Sequence, residues 1–514
     1  MLIEKITALF YKRSFIYLWG ITIYLPIILR KKQFDIDFDL VLKPLYNVTS
    51  ISQYFDIFLS KFLFDIQPIR DLTLLIDIHL ESILNHQTFN LTNVLIWCST
   101  ILILDRILNK MTTSFNSRLI ALIVLSHPLL SWTLSWPTAR KHFLSAFFIT
   151  WVTKKIVDQP KSNRDILKIG SLYLLSLLSQ PISSLAIIPA LLFSKKNLSE
   201  EKFYRLSIVM ISIFLAMVFI NFYYYKYVYP TYSGTAKIME MNLHLFVMQV
   251  FSFSRSLTQI IFPISFSQTY NPRTYLSFIG MPFFIVSFYL VYLKYNLKKS
   301  LFFALFIFYP LILILARPTN IFVSDTYIII SLTNTFIVIG YVFKYKKISP
   351  LFLALPILLS LKSIHEIKHT SSPYSIFKTS FDREPNCKNA HSYANELLKK
   401  NMQKEFMQIS GDALKNKCAI LGKSGTAVMN QNFAFRIVLD KSFNLKEKLR
   451  ILKKMRYVTP QIEFLKAILL HKAGMNESSQ SLLSKVESRI QPEMKQILRS
   501  VSNEICDHQK CPRP

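Results

Sequence analysis

Apolar residues in this chain gather in blocks of about twenty, and this spacing constrains the fold more than any other feature, because a helix of that length covers the hydrocarbon thickness of a bilayer. The blocks lie near 14–30, 92–108, 116–135, 142–157, 168–194, 204–224, 275–294, 299–316, 322–343 and 348–364. Backbone in lipid must satisfy its own hydrogen bonds, so the expected fold class is all-α, a polytopic membrane protein. Composition agrees, with 51% hydrophobic and 14% aromatic residues in 514. Lys and Arg outnumber Asp and Glu by 61 to 30. Many of these basic residues sit in short loops between apolar blocks, as the positive-inside rule requires, and this argues against nucleic acid as the partner.

The charged loops set a topology. Lys110 and Arg118, Lys154, Lys155, Lys161 and Arg164, Lys195, Lys196 and Lys202, Lys294, Lys298 and Lys299, and Lys344, Lys346 and Lys347 mark the cytoplasmic side. The segment LKIGSLYLLSLLSQPISSLAIIPALLFSKK is basic at both ends and carries Gln180-Pro181 in its middle, which predicts two short helices in a hairpin open to the outside. Counting that hairpin twice gives about eleven spans. The N-terminus is then cytoplasmic and the C-terminal region extracytoplasmic, in a membrane expected to be a bacterial inner membrane. The start, MLIEKITALFYKRSFIYLWG, has no small-residue cleavage site before KKQFD and reads as an uncleaved first span. The apolar run around 243–263 is expected to lie outside or re-enter.

Two domains follow: a membrane domain, 1–364, and an external helical domain, 365–514. Within the first, residues 31–91 form a long external loop with amphipathic runs such as ISQYFDIFLSKFLF, expected along the membrane surface. In the second, FLKAILLHKAGMNESSQSLLSKV reads as two apolar-faced helices joined at Gly474, a tetratricopeptide-like arrangement that ANELLKKNMQKEFMQISGDAL repeats. Cys98 falls in a span, whereas Cys387, Cys418, Cys506 and Cys511 form an even set in the external domain. An oxidising compartment favours Cys506–Cys511 and Cys387–Cys418 bridges, with four free buried thiols as the alternative. CDHQKC lacks further ligands at zinc-site spacing.

The stretch SHPLLSWTLSWPTARKHFLSA resembles a signature of the glycosyltransferase-C superfamily, in particular the membrane O-mannosyltransferase-like proteins with tetratricopeptide repeats, whose pattern runs roughly HPLHVESVAWVSERKDVLS. It matches at His127-Pro128-Leu129, Trp136, Arg140-Lys141 and Leu144-Ser145. QPIRDLTLLIDIHL is similar to that family's RPLRDLTLALDYAL, Asn93 to the asparagine of HLTNLLLH, SLLSQPISSLAIIP to ALLSKPMAVTLP, and NIFVSDTYIIIS to NVFVADRYLYLP. The resemblance implies a glycosyltransferase-C fold that uses a polyprenyl-phosphate sugar donor and an external protein, lipid or glycan acceptor. The family's acidic motif aligns on IDFDLVLKPLYNV, giving Asp37 and Asp39 with Phe38 between them. Several charged family positions differ here: its glutamates fall on Trp132 and Ala139, its aspartate on His142, its lysine on Gln180, and two arginines on Gln67 and Thr326.

Transfer from a lipid phosphate needs a base for the acceptor hydroxyl and positive charge for the departing phosphate. Asp37 and Asp39 are the candidate catalytic acids. Arg140, Lys141 and His142 are the candidate phosphate ligands, with Arg70, Gln180 and Asp325 supporting. The plain alternatives are solvated charge for the acids, headgroup snorkelling for the basic residues, and loop-folding roles for Asp71 and Asp77. No cofactor is required by the pattern, and a divalent cation at the Asp37–Asp39 pair stays open. Retained Asp37 and Arg140-Lys141 point to an enzyme. The lost ionisable positions point to a non-catalytic descendant whose helical domain, 365–514, binds a protein partner. A lipid-sugar carrier would need buried charge along a through-path, which the spans lack.

Overall fold

The structure, a computed structural model, describes residues 10–30, 41–48, 67–223, 291–315, 328–342, 348–383, 387–400, 444–453 and 460–486, with short runs between them. All regular structure among the described residues is helical. The chain divides into two units, 1–373 and 374–514.

In the first unit, α1 (Ser14–Ile28), α4 (Phe89–Asn109), α5 (Ser114–Leu125) and α7 (Arg140–Val157) pack together, with α7 lying between α4 and α8 (Asn163–Ser179). The short α2 (Lys43–Tyr46) packs on α3 (Pro68–Leu84), α6 (Leu129–Leu134) follows α5, and α9 (Ile187–Asn197) and α10 (Glu200–Tyr223) follow α8. Later come α11 (Leu297–Leu315), α12 (Ile329–Val342) and α13 (Ala354–Lys368), the last preceded by a 3-10 turn at Pro350–Leu353. Local chemistry sets several ends. Thr113 caps α5 by accepting from the Asn116 amide at 3.2 Å, and Ser162 with Asp165 forms a capping box on α8. Gly340 lets α12 approach α4, since a Cβ there would overlap Leu108.

Among the described residues three helices are long and apolar enough to cross a membrane: Phe89–Asn109, Glu200–Asn221 and Pro350–Lys368. Ser14–Ile28, Ser114–Leu125, Ser183–Leu192 and Ile329–Val342 are apolar but shorter. The expected 116–135 block is two helices, because Pro128 offers no amide hydrogen and the chain turns at Ser126–Pro128. The 168–194 block is likewise broken, at Gln180, whose extended backbone leads into a 3-10 turn at Pro181–Ala186. The expected blocks at 243–263 and 275–294 lie largely outside the described residues.

A polar seam binds α13 to the break between α5 and α6. Ser363 donates to the Ser126 carbonyl at 2.8 Å, Ser360 to the Ser126 hydroxyl at 3.0 Å, and Ser131 to the Ser363 carbonyl at 3.0 Å. Arg30, just past α1, donates to the Thr370 and Ile367 carbonyls at 2.5 and 3.1 Å. These bonds carry the first unit past the expected limit at 364 to Pro373. Hydroxyl and carbonyl pairs of this kind join helices where hydrophobic contrast with lipid is small.

In the second unit, α14 (Pro373–Arg383) and α15 (Cys387–Lys399) precede α16 (Leu445–Lys453), α17 (Pro460–Lys472) and α18 (Asn476–Val486). Gly474, at φ +78°, ends α17: its amide donates to the His471 carbonyl and the Met475 amide to the Leu470 carbonyl, both at 2.9 Å. This left-handed cap turns the chain so that α18 packs back on α17. The pairings expected for Cys387, Cys418, Cys506 and Cys511 rest on side chains outside the described residues, and Cys98 is a buried free thiol.

Candidate functional site

The site grows from a helix start that its own sequence disfavours. Trp136 is extended, as a residue before proline should be, and Pro137–Ala139 makes a 3-10 turn into α7. Arg140, Lys141 and His142 then occupy the first turn, where the helix dipole opposes positive charge. A carboxylate answers them. Asp77, on α3, pairs with Arg140 through its Oδ2. Its Oδ1 accepts from Thr92 at 2.7 Å and from Thr88 at 3.0 Å.

Arg140 is wholly buried, and four of its five N–H groups have protein acceptors: Asp77, the Asn93 side chain at 2.8 Å, the Thr73 carbonyl at 2.8 Å and the Phe89 carbonyl at 2.9 Å. Asn93 in turn donates to the Trp136 carbonyl at 3.1 Å, closing the network on the turn that begins α7. The anion that Arg140 meets among the described residues is Asp77. His142 is buried and Lys141 half-buried, each with interactions of its own.

At the start of α3, Arg70 and Asp71 are buried and ion-paired at 2.7 Å. Tyr54 lies in the same apolar cluster as Leu42, Leu45, Leu74 and Phe89 and donates to the Pro68 carbonyl at 3.3 Å. Burial, with the Asp71 carboxylate near, pushes the Tyr54 phenol up, so it stays protonated and serves as a donor rather than a base. Gln67 donates its side-chain amide to the Gln180 side-chain carbonyl at 2.8 Å. The Gln180 backbone carbonyl accepts from Ser183 at 2.9 Å, and Ser183 accepts from Ser176 at 2.8 Å. Neutral amides and hydroxyls therefore fill the place between α3 and the end of α8.

Asp37, Asp39 and Asp325 lie outside the described residues. Arg70, Gln180, Arg140, Lys141 and His142 lie inside them, and α3 links two clusters, Asp77 with Arg140 and Gln67 with Gln180. Segments up to 113 residues apart, 67–80, Asn93, 126–146 and 176–183, are thus linked through α3. Sequence reasoning missed Glu366. This carboxylate is fully buried, accepts from the Trp132 indole at 3.3 Å and pairs with Lys362 at 3.1 Å. A lone acid within the apolar run LPILLSLKSIHEIK was the signal that could have found it. Among the described residues no group of three or more His, Cys, Asp and Glu side chains is placed to hold a metal ion. No family model, curated protein or solved structure matches this chain.

Proposed function

We propose that this chain is a multi-span integral membrane protein on the glycosyltransferase-C plan whose donor-phosphate region has become an internally paired polar core, leaving a non-catalytic scaffold. Its N-terminus is cytoplasmic, and its helical unit, 374–514, lies outside, in the manner of a bacterial inner-membrane protein, and binds a protein partner. The observation that carries this reading is the Gln67–Gln180 hydrogen bond. Two cations at those places would repel one another and call for an anion between them, whereas two amides share a hydrogen bond and need no counter-ion. Filling of the Arg140 fork by Asp77, Asn93, Thr73 and Phe89 supports the same reading. Deleting 374–514 is then expected to abolish the cellular phenotype, while Asp37→Asn and Asp39→Asn leave it and the cell's glycans unchanged. A glycan lost in either acid variant would overturn the scaffold.

Lys141 favours a second reading. It is half-buried at the start of a helix whose amides point outward, a place suited to an anion. On that reading the protein transfers sugar from a polyprenyl-phosphate donor to an external acceptor, Lys141 and His142 hold the phosphate, and Asp37 or Asp39 acts as base, with or without a divalent cation. Loss of transfer in Asp37→Asn with donor binding intact would establish it.

A further inference from the structure

Helix α3 has a second apolar stripe outside its packed face. The buried face carries Arg70, Asp71 and Asp77 beside Leu74 and Leu75, while Leu72, Ile76, Leu80, Ile83 and Leu84 are exposed along its length, Ile76 at 58% and Ile83 at 75%. Of the exposed positions between 72 and 80 only His79 is polar, and exposed polar residues gather at the C-terminal end, at Ser82, Asn85 and His86. In water the exposed stripe would leave five large alkyl side chains unburied. Beside hydrocarbon the charges stay paired inward, and the exposed alkyl side chains meet an apolar medium.

The partners of α3 give its level. Gln67 bonds Gln180 at the end of α8, Asp77 bonds Thr88 and Thr92 at the start of α4, and Arg140 opens α7. All are helix ends, so α3 runs along one rim of the helix bundle instead of down through it. Seventeen residues make about 25 Å of helix, enough for a continuous apolar stripe along that rim. The same kind of exposure is seen on α10, at Ile208, Leu215 and Phe219, within a helix long enough to cross a membrane.

We infer that α3 is immersed in the outer leaflet at the rim of the bundle, with Leu72, Ile76, Leu80 and Ile83 against lipid acyl chains. This rests on the membrane reading above but not on whether the protein is a scaffold or an enzyme. The test places a photo-crosslinking amino acid at Ile76, at Ile83, at Ile208 as a span control and at Lys161 as a loop control, in the full chain in native membranes, and identifies adducts by mass spectrometry. Lipid adducts at Ile76 and Ile83 are expected within about threefold of the yield at Ile208 and at least about tenfold above Lys161, as for a helix lying in the interface. Peptide adducts at Ile76 and Ile83, from 374–514, a second copy or another protein, would overturn the inference, and so would the loop yield at both positions with a high yield at Ile208. A loop-like yield at Ile208 as well would instead remove the membrane reading, and this inference with it.

Discussion

The side-chain amide of Gln67 donates to the side-chain carbonyl of Gln180 at 2.8 Å, inside the protein and across 113 residues of chain. This bond joins the start of α3 to the break after α8. Its neutrality matters more than its strength, because a buried amide pair needs no counter-ion.

Replacing either glutamine by alanine strands the other amide, at an expected cost of about 1–3 kcal/mol. Gln67→Arg combined with Gln180→Lys sets two cations in contact, and that variant is expected to unfold at a lower temperature in detergent. Added polyprenyl phosphate should raise the melting temperature of the double variant and leave the wild type unmoved. An equal rise in the wild type would show that it binds the anion already.

Asp77 and Arg140 form a buried pair that should tolerate joint replacement better than single loss. Asp77→Asn or Arg140→Gln is expected to cost about 3–5 kcal/mol, since each leaves a buried charge without its partner. Asp77→Leu with Arg140→Met should be clearly less harmful than the sum of its single replacements. Chemical unfolding of the variants in micelles gives the coupling directly.

At the far end of α7, Asp158 accepts from Lys110 and Lys154. Burial works to raise this carboxyl, but the two ammonium groups outweigh it and hold it below the usual carboxylate range. A depressed folded pKa stabilises the protein above the unfolded value, about 3.9, and the contribution disappears as pH falls through the folded value. The groups are partly exposed, so Asp158→Asn should cost only about 0.5 kcal/mol at neutral pH. That difference should shrink as pH falls below the unfolded value and vanish once it passes the lower folded value, followed by thermal unfolding across a pH series.

Gly474 has open space around it, and only its backbone conformation restricts substitution. Gly474→Ala should therefore destabilise the α17–α18 pair by about 1–2 kcal/mol, the cost of a left-handed residue with a Cβ. Faster proteolysis between 460 and 486, with the first unit unchanged, is the expected readout.

What the sequence determined by itself was local. Apolar blocks placed the helices, Gln180-Pro181 placed a break, and Gly474 placed the turn of a helix pair, because each depends on residues within a turn or two of one another. The segments 67–80, Asn93, 126–146 and 176–183 are linked through α3. Only the tertiary structure decided the partners. Arg140 reads as a cation at an exposed helix start until Asp77, 63 residues earlier, is brought against it from α3. Trp132 reads as a lost acid until Glu366 arrives from 234 residues away. The exposed apolar stripe of α3 was hidden for the same reason, since a sequence pattern shows that a helix has two faces and only packing shows which one is turned inward. Ion pairs and amide bonds act over a few ångströms of space, and helix packing sets which distant residues lie that close.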